Sequence, residues 1–151
     1  MSDIIRSMRL VLDTNVLLAG LFSRRGAFHW LVRKLLDRAF EAAATVPVFL
    51  EYEAVLLRPE NLEQIAWSPS NMQAFLTDLS TLLLPIQVWY LWRPGFSAPT
   101  DEMFVECAVA SSADALVTFN KRDYLDAARR FKFTIRTPGE IVFLLKQVGA
   151  S

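Results

Sequence analysis

Leu10-Val11-Leu12-Asp13-Thr14-Asn15-Val16-Leu17 is the stretch on which the fold turns. Its three leading apolar residues read as a short strand buried on both faces, as strands of parallel sheets are. The apolar run stops at Asp13-Thr14-Asn15, after which residues 16–21 read as a short helix. Working outward, Phe28, Leu31, Val32, Leu35, Leu36 and Ala39 follow the i, i+3, i+4 rule and predict an amphipathic helix over residues 27–39. A second strand is expected over residues 42–46, with Thr45 placed to cap a helix running through Glu51 to residue 57. Ser68-Pro69 is an N-cap followed by proline at N1, and Met72, Phe75, Leu76, Leu79, Leu82 and Leu83 mark the buried stripe of the helix it opens. Further strands are expected over residues 86–90 and 115–118, with a helix over 101–112 between them. Thr137-Pro138-Gly139-Glu140 is a capping box opening a last helix through Val148.

Strands alternating with helices of this length predict an α/β fold, with a central parallel sheet covered on both faces. Ligands of such sheets bind at the carboxyl ends of the strands, near a reversal of strand order. The chain has 151 residues, enough for one domain, and 53% of them are hydrophobic. Sixteen basic residues balance sixteen acidic ones, which argues against a general nucleic-acid coat but leaves room for a local nucleic-acid site. One cysteine, Cys107, and one histidine, His29, exclude a disulfide framework and any Cys- or His-rich metal site within one chain. The greasy stretch 76–92 is broken by Asp78, Thr81, Pro85 and Gln87, so no membrane span is expected. Asp3 and Arg6 interrupt the start, no targeting segment is visible, and a cytoplasmic location is the expectation. Residues 1–7 are expected to form a loose extension ahead of a single domain at 8–151.

Acidic and amide residues sit at the ends of separate elements. Asp13 ends the first strand, Glu51 lies in the helix after the second, Asp101 begins a helix, and Asn120 and Asp123 follow the strand at 115–118. Carboxylates gathered without histidine or cysteine suit a hard cation, Mg²⁺ or Mn²⁺. Each also has a plainer role. Asp13 and Asp123 could cap helices, Asp101 could complement a helix dipole, Asn120 could serve a turn, and Glu51 could sit on a solvated face. No glycine-rich phosphate loop and no Gly-x-Ser-x-Gly elbow is present. His29 and Cys107 read as structural residues.

These segments together resemble a PIN domain. The first motif is residues 10–17. The second runs from Thr45 to Leu56, followed by Arg58-Pro59, and its register puts the family glutamate on Glu51 and not on Glu53. The third comprises Trp92-Arg93-Pro94 and Pro99-Thr100-Asp101-Glu102, and the fourth Thr118-Phe119-Asn120-Lys121-Arg122-Asp123. The resemblance covers nearly the whole chain and implies a three-layer α/β/α fold and a metal-dependent ribonuclease. It implies Asp13, Glu51 and Asp101 as the principal acids and metal ligands, Asn120 or Asp123 as the fourth catalytic position, and Asn15 and Thr118 as polar support. The subgroup it resembles is that of bacterial toxins of toxin–antitoxin pairs, VapC-like, which implies an RNA substrate and a small antitoxin partner.

The chain departs from the family pattern at Ala98, where relatives often carry an aspartate, and at Asn120, where many do. Both departures remove negative charge from the metal site and support a rival reading, a catalytically weak protein that binds RNA or a partner. An enzyme acting on small phosphate compounds is disfavoured, because no phosphate-cradling loop is present. Arg24, Arg25, Arg93, Lys121 and Arg122 are candidates to contact substrate phosphates. Trp67, Trp89, Tyr90 and Trp92 are candidates for a homodimer or antitoxin interface.

Overall fold

The computed structural model describes residues 8–23, 25–88 and 99–149, apart from the side chains of residues 99–101. Strand β1 (Arg9–Leu12) is followed by helices α1 (Thr14–Phe22) and α2 (Ala27–Leu36), then by β2 (Glu41–Ala44). Three helices come next, α3 (Val46–Leu56), α4 (Pro59–Ile65) and α5 (Pro69–Leu82), leading into β3 (Leu83–Pro85). Helix α6 (Pro99–Ala110), β4 (Ala115–Val117), α7 (Lys121–Phe131), β5 (Ile135–Arg136) and α8 (Pro138–Gln147) complete the order. The five strands form one parallel sheet in the order β3-β2-β1-β4-β5. The architecture is α/β/α in three layers, as expected.

The strand order explains where a site belongs. Growth from β1 to β3 proceeds toward one edge, and the chain then crosses back to place β4 on the other side of β1. With right-handed crossovers, this reversal sends the helices before and after it to opposite faces. Helix α2 packs against α5 and α8, and α6 packs against α3, α7 and the strands β1, β2 and β4. Strands β1 and β4 stay paired to their carboxyl ends, and the segments that leave them there flank the switch point, where a ligand crevice belongs.

Leu10, Val11, Leu12, Leu116 and Val117 are essentially inaccessible, as both faces of the sheet are covered. The amino end is pinned by Arg9. Its backbone amide donates to Asp114 Oδ2 (2.7 Å), and its guanidinium donates to the Ser111 carbonyl (2.8 Å) and pairs with Glu41 (3.0 Å).

Several boundaries differ from the sequence expectation. The expected strand at 86–90 is displaced: β3 is Leu83–Pro85, residues 86–88 are irregular, and 89–90 lie outside the described residues. Leu83, expected as part of a helical stripe, pairs with Ala42, because α5 passes into the strand without a loop. Proline is tolerated at residue 85 because β3 is an edge strand. Helix α2 ends at Leu36, not 39, where Arg38 takes a positive φ of 58°. Strand β2 ends at Ala44, since Thr45 caps α3 by accepting from the Val48 amide, and Val46 is helical and exposed. Helices α4 and α7 and strand β5 were not anticipated.

The expected capping box is present. Thr137 accepts from the Glu140 amide (3.1 Å), and Glu140 Oε1 accepts from the Thr137 amide (2.8 Å). The same oxygen pairs with Lys121 Nζ at 2.7 Å, linking the starts of α7 and α8. The hydrogen bond from Lys121, followed by that from Thr137, holds the Glu140 carboxyl below its usual range. A lowered folded pKa means that this stabilisation is fully present above the unfolded value and is lost as pH falls through the folded one. Glu140→Gln is expected to lower the thermal midpoint modestly at neutral pH. Thermal melts of the two proteins should converge on acidification, and a gap that persists at low pH would contradict the assignment.

Candidate active site

The carboxyl end of β1 delivers Asp13 to the switch point. Its backbone amide continues the ladder by donating to the Val117 carbonyl (2.9 Å), so its position is fixed by β4. Asp13 occupies the N-cap position of α1, yet its side chain makes no capping hydrogen bond. The carboxylate is instead held from across the crevice, where Thr118 Oγ1 donates to Asp13 Oδ2 at 2.8 Å. Thr118 is wholly buried, and its hydroxyl also accepts from the Asn120 amide at 3.0 Å. The hydroxyl therefore orients the acid and shapes the turn after β4. Next to Asp13, Thr14 has a buried hydroxyl with no hydrogen-bond partner among the described residues.

Beneath the site, β1 and β2 separate. The Glu41 amide donates to the Met8 carbonyl at 2.9 Å, and two-residue steps along that register would bring the Thr45 amide to the Leu12 carbonyl. The chain has already turned into α3 there. Tyr52, fully buried on α3, supplies the missing donor, with its hydroxyl 2.5 Å from the Leu12 carbonyl. The Thr45 amide turns to the sulfur of Cys107, whose thiol faces the Ala43 carbonyl at 3.6 Å. Burial pushes the Cys107 thiol up to about 12 against the pull of the Thr45 amide, so it stays protonated and inert. Burial, then the nearby Cys107 and Asp13, raise the Tyr52 phenol well above its usual value and keep it a donor.

Tyr52→Phe keeps the ring and strands the Leu12 carbonyl, a loss of about 1–3 kcal/mol for a buried unsatisfied acceptor. Chemical denaturation of the two proteins should show this. Equal stability would mean that the hydroxyl does not support the end of β1.

The other sequence-predicted residues are placed as follows. Val48, Tyr52, Val55 and Leu56 form the buried stripe of α3. Glu51 falls on one flank of that stripe and Glu53 on the other, so the two glutamates diverge. Asp101 is the third residue of α6, with its side chain outside the described residues. Asn120 is the N-cap residue of α7 without a side-chain capping bond, and Asp123 lies exposed in the first turn. Asn15 is exposed on the first turn of α1. Arg25 and Arg122 are exposed, Lys121 is engaged by Glu140, and Arg24, Arg93 and Ala98 lie outside the described residues. Of the aromatic candidates, Trp67 packs on Phe75 at 5.8 Å, and Trp89, Tyr90 and Trp92 lie outside the described residues.

Among the described residues, no three His, Cys, Asp or Glu side chains are grouped to hold a metal. Asp13 and Thr118 are thus the part of the expected site that the described side chains bring together. Tyr52 was missed by sequence reasoning. Its one signal was a hydroxyl-bearing residue in an inward helical position beside Glu51.

Comparison with known families assigns the class of protein. A family model for the PIN domain matches residues 9–122. The chain belongs to the PIN domain family, whose members are generally nucleases and generally use divalent metal ions. No curated protein matched the chain. No helix among the described residues is long and apolar enough to cross a membrane.

Proposed function

We propose that this protein is a metal-dependent ribonuclease that hydrolyses phosphodiester bonds of RNA. The observation that carries the reading is the hydrogen bond from Thr118 to Asp13 across the switch point, which fixes a carboxylate at the carboxyl edge of the sheet. In this reading Asp13, Glu51 and Asp101 hold Mg²⁺ or Mn²⁺, with Asn120 or Asp123 adjacent. The donor chemistry fits a hard cation. Asp13 and Thr118 offer oxygen, Thr14 has a buried hydroxyl without a partner among the described residues, the Cys107 thiol is protonated, and His29 Nδ1 lies 3.2 Å from the Gly20 carbonyl.

When bound, a divalent cation supplies Lewis-acid chemistry for phosphodiester hydrolysis. The chain's own residues prepare the site for it. Thr118 restrains the Asp13 carboxylate, and Tyr52 steadies the backbone one residue before it. Arg25 and Arg122, exposed at the starts of α2 and α7, are the described cations offered to substrate phosphates, because Lys121 is drawn to Glu140. The resemblance to VapC-like proteins supports a role as the toxin of a toxin–antitoxin pair, with a small antitoxin protein as partner.

The test is cleavage of a labelled RNA in Mg²⁺ or Mn²⁺ and in EDTA. Cutting should require the divalent ion, and cutting that persists in EDTA would overturn the reading. Asn120, which lacks a charge many relatives carry, supports a second reading in which the protein binds RNA without cutting it. In that case the RNA would shift on a native gel and remain intact in either metal.

A further inference from the structure

Phe119 lies between two residues of the candidate site, and neither the fold nor the acid chemistry accounts for it. Thr118, just before it, is buried and bonded to Asp13, and Asn120, just after it, is tied back to the Thr118 hydroxyl at 3.0 Å. This tight turn leaves Phe119 40% exposed. Its ring is nonetheless held, because Phe28 at the start of α2 meets it at 89° with centroids 5.1 Å apart. A T-shaped contact engages one edge or one face of a ring and leaves another face available. Adjacent Cα atoms are about 3.8 Å apart, and the Asp13 carboxylate is 2.8 Å from the Thr118 hydroxyl. Phe119 is thereby the chain neighbour of the residue that holds the carboxylate, and its partly exposed ring adds a flat apolar surface to the turn that follows β4. Arg25, just before α2, and Arg122, just after the turn, are exposed beside the two rings' segments.

We propose that Phe119, braced by Phe28, is a stacking platform for an unpaired nucleobase of the strand bound at Asp13. The proposal rests on the ribonuclease reading and deepens it, since it assigns Phe119 a contact with a base of the bound strand. Every base has a π-face, so such a platform gives affinity without sequence preference. A base inside a duplex is already stacked on its neighbours and cannot use it.

The experiment measures fluorescence anisotropy of a labelled oligouridine, of its duplex with oligoadenosine, and of oligothymidine, in EDTA so that cleavage does not compete. Wild type is compared with Phe119→Ala, Phe119→Leu and Phe119→Trp, with thermal melts confirming that each is folded. Phe119→Ala and Phe119→Leu are expected to weaken binding of oligouridine by about 5- to 100-fold. Phe119→Trp should bind at least as tightly as wild type, and the duplex should be indifferent to all three changes. Leucine keeps apolar bulk without a π-face, so it separates stacking from simple packing. Equal oligouridine affinity for wild type and Phe119→Ala would overturn the platform, as would equal losses on single strand and duplex. If wild type still cuts RNA in Mn²⁺ under either of those outcomes, the ribonuclease reading stands and only the platform falls. If wild type neither binds oligouridine nor cuts RNA, the ribonuclease reading falls and takes this proposal with it. Ring-dependent binding confined to oligothymidine would support stacking while assigning the strand as DNA.

Discussion

Asp13→Asn is expected to leave the protein folded and to reduce RNA cleavage in Mn²⁺ by at least about 100-fold. Changing an outer partner of a metal ligand typically costs about 10- to 100-fold in metal affinity or activity, so neutralising a proposed ligand should cost no less. Folding survives because asparagine keeps a carbonyl oxygen to accept from Thr118, whose hydroxyl otherwise loses its partner. The thermal midpoint should stay within a few degrees of wild type. The check is a cleavage time course with labelled RNA, run on parallel preparations. Equal rates would remove Asp13 from the mechanism and point to another site or a contaminating nuclease. Thr118→Val removes the hydroxyl and keeps the shape, so it should weaken metal dependence less than loss of the carboxylate itself.

Gly20→Ala is expected to destabilise the protein by about 1–3 kcal/mol, against the usual rule for a helix. In an isolated helix the change would help by roughly 1 kcal/mol, because alanine is the better helix former. Here α1 and α2 meet at Gly20. An added Cβ would overlap the Val32 side chain and approach the Phe28 carbonyl to 2.9 Å. Val32 is buried and β-branched, and the carbonyl is main chain, so neither yields easily. Overpacking of this kind costs more than propensity returns. For a domain of this size the thermal midpoint should fall by about 3–10 °C. The double variant Gly20→Ala, Val32→Ala should show a smaller loss than the sum of its parts. A midpoint that rises in the single variant would mean that the two helices are free to move apart.

Much of the fold was legible because parallel sheets announce themselves locally. Leu10-Val11-Leu12 and Ala115-Leu116-Val117 are short apolar runs with no alternation, as expected where both faces are covered. Ser68-Pro69 and Thr137-Pro138-Gly139-Glu140 also specify helix starts within a few residues, and both caps are formed. Residues 83–85 were not legible. Leu83 fits the stripe of α5 as well as it fits a strand, and only pairing with Ala42 decides between them. Helix α7 has an inward face of just Tyr124 and Ala127, too sparse to stand out beside its charges.

For the site, the sequence by itself determined which residue types were available: oxygen ligands at the ends of elements, one histidine, one cysteine and no phosphate loop. It also determined that Asp13 would stand at the end of a buried strand. Only the tertiary structure decided that Asp13 is held by Thr118 and not used as a cap, because the two residues are 105 positions apart and meet through the β1–β4 ladder. The same holds for Tyr52 under Leu12, for Phe28 against Phe119, and for the close approach at Gly20. Periodicity and capping act within a few residues and can be read along the chain. Contacts between distant elements depend on how strands pair and how closely helices approach, and those are fixed when all the elements pack at once.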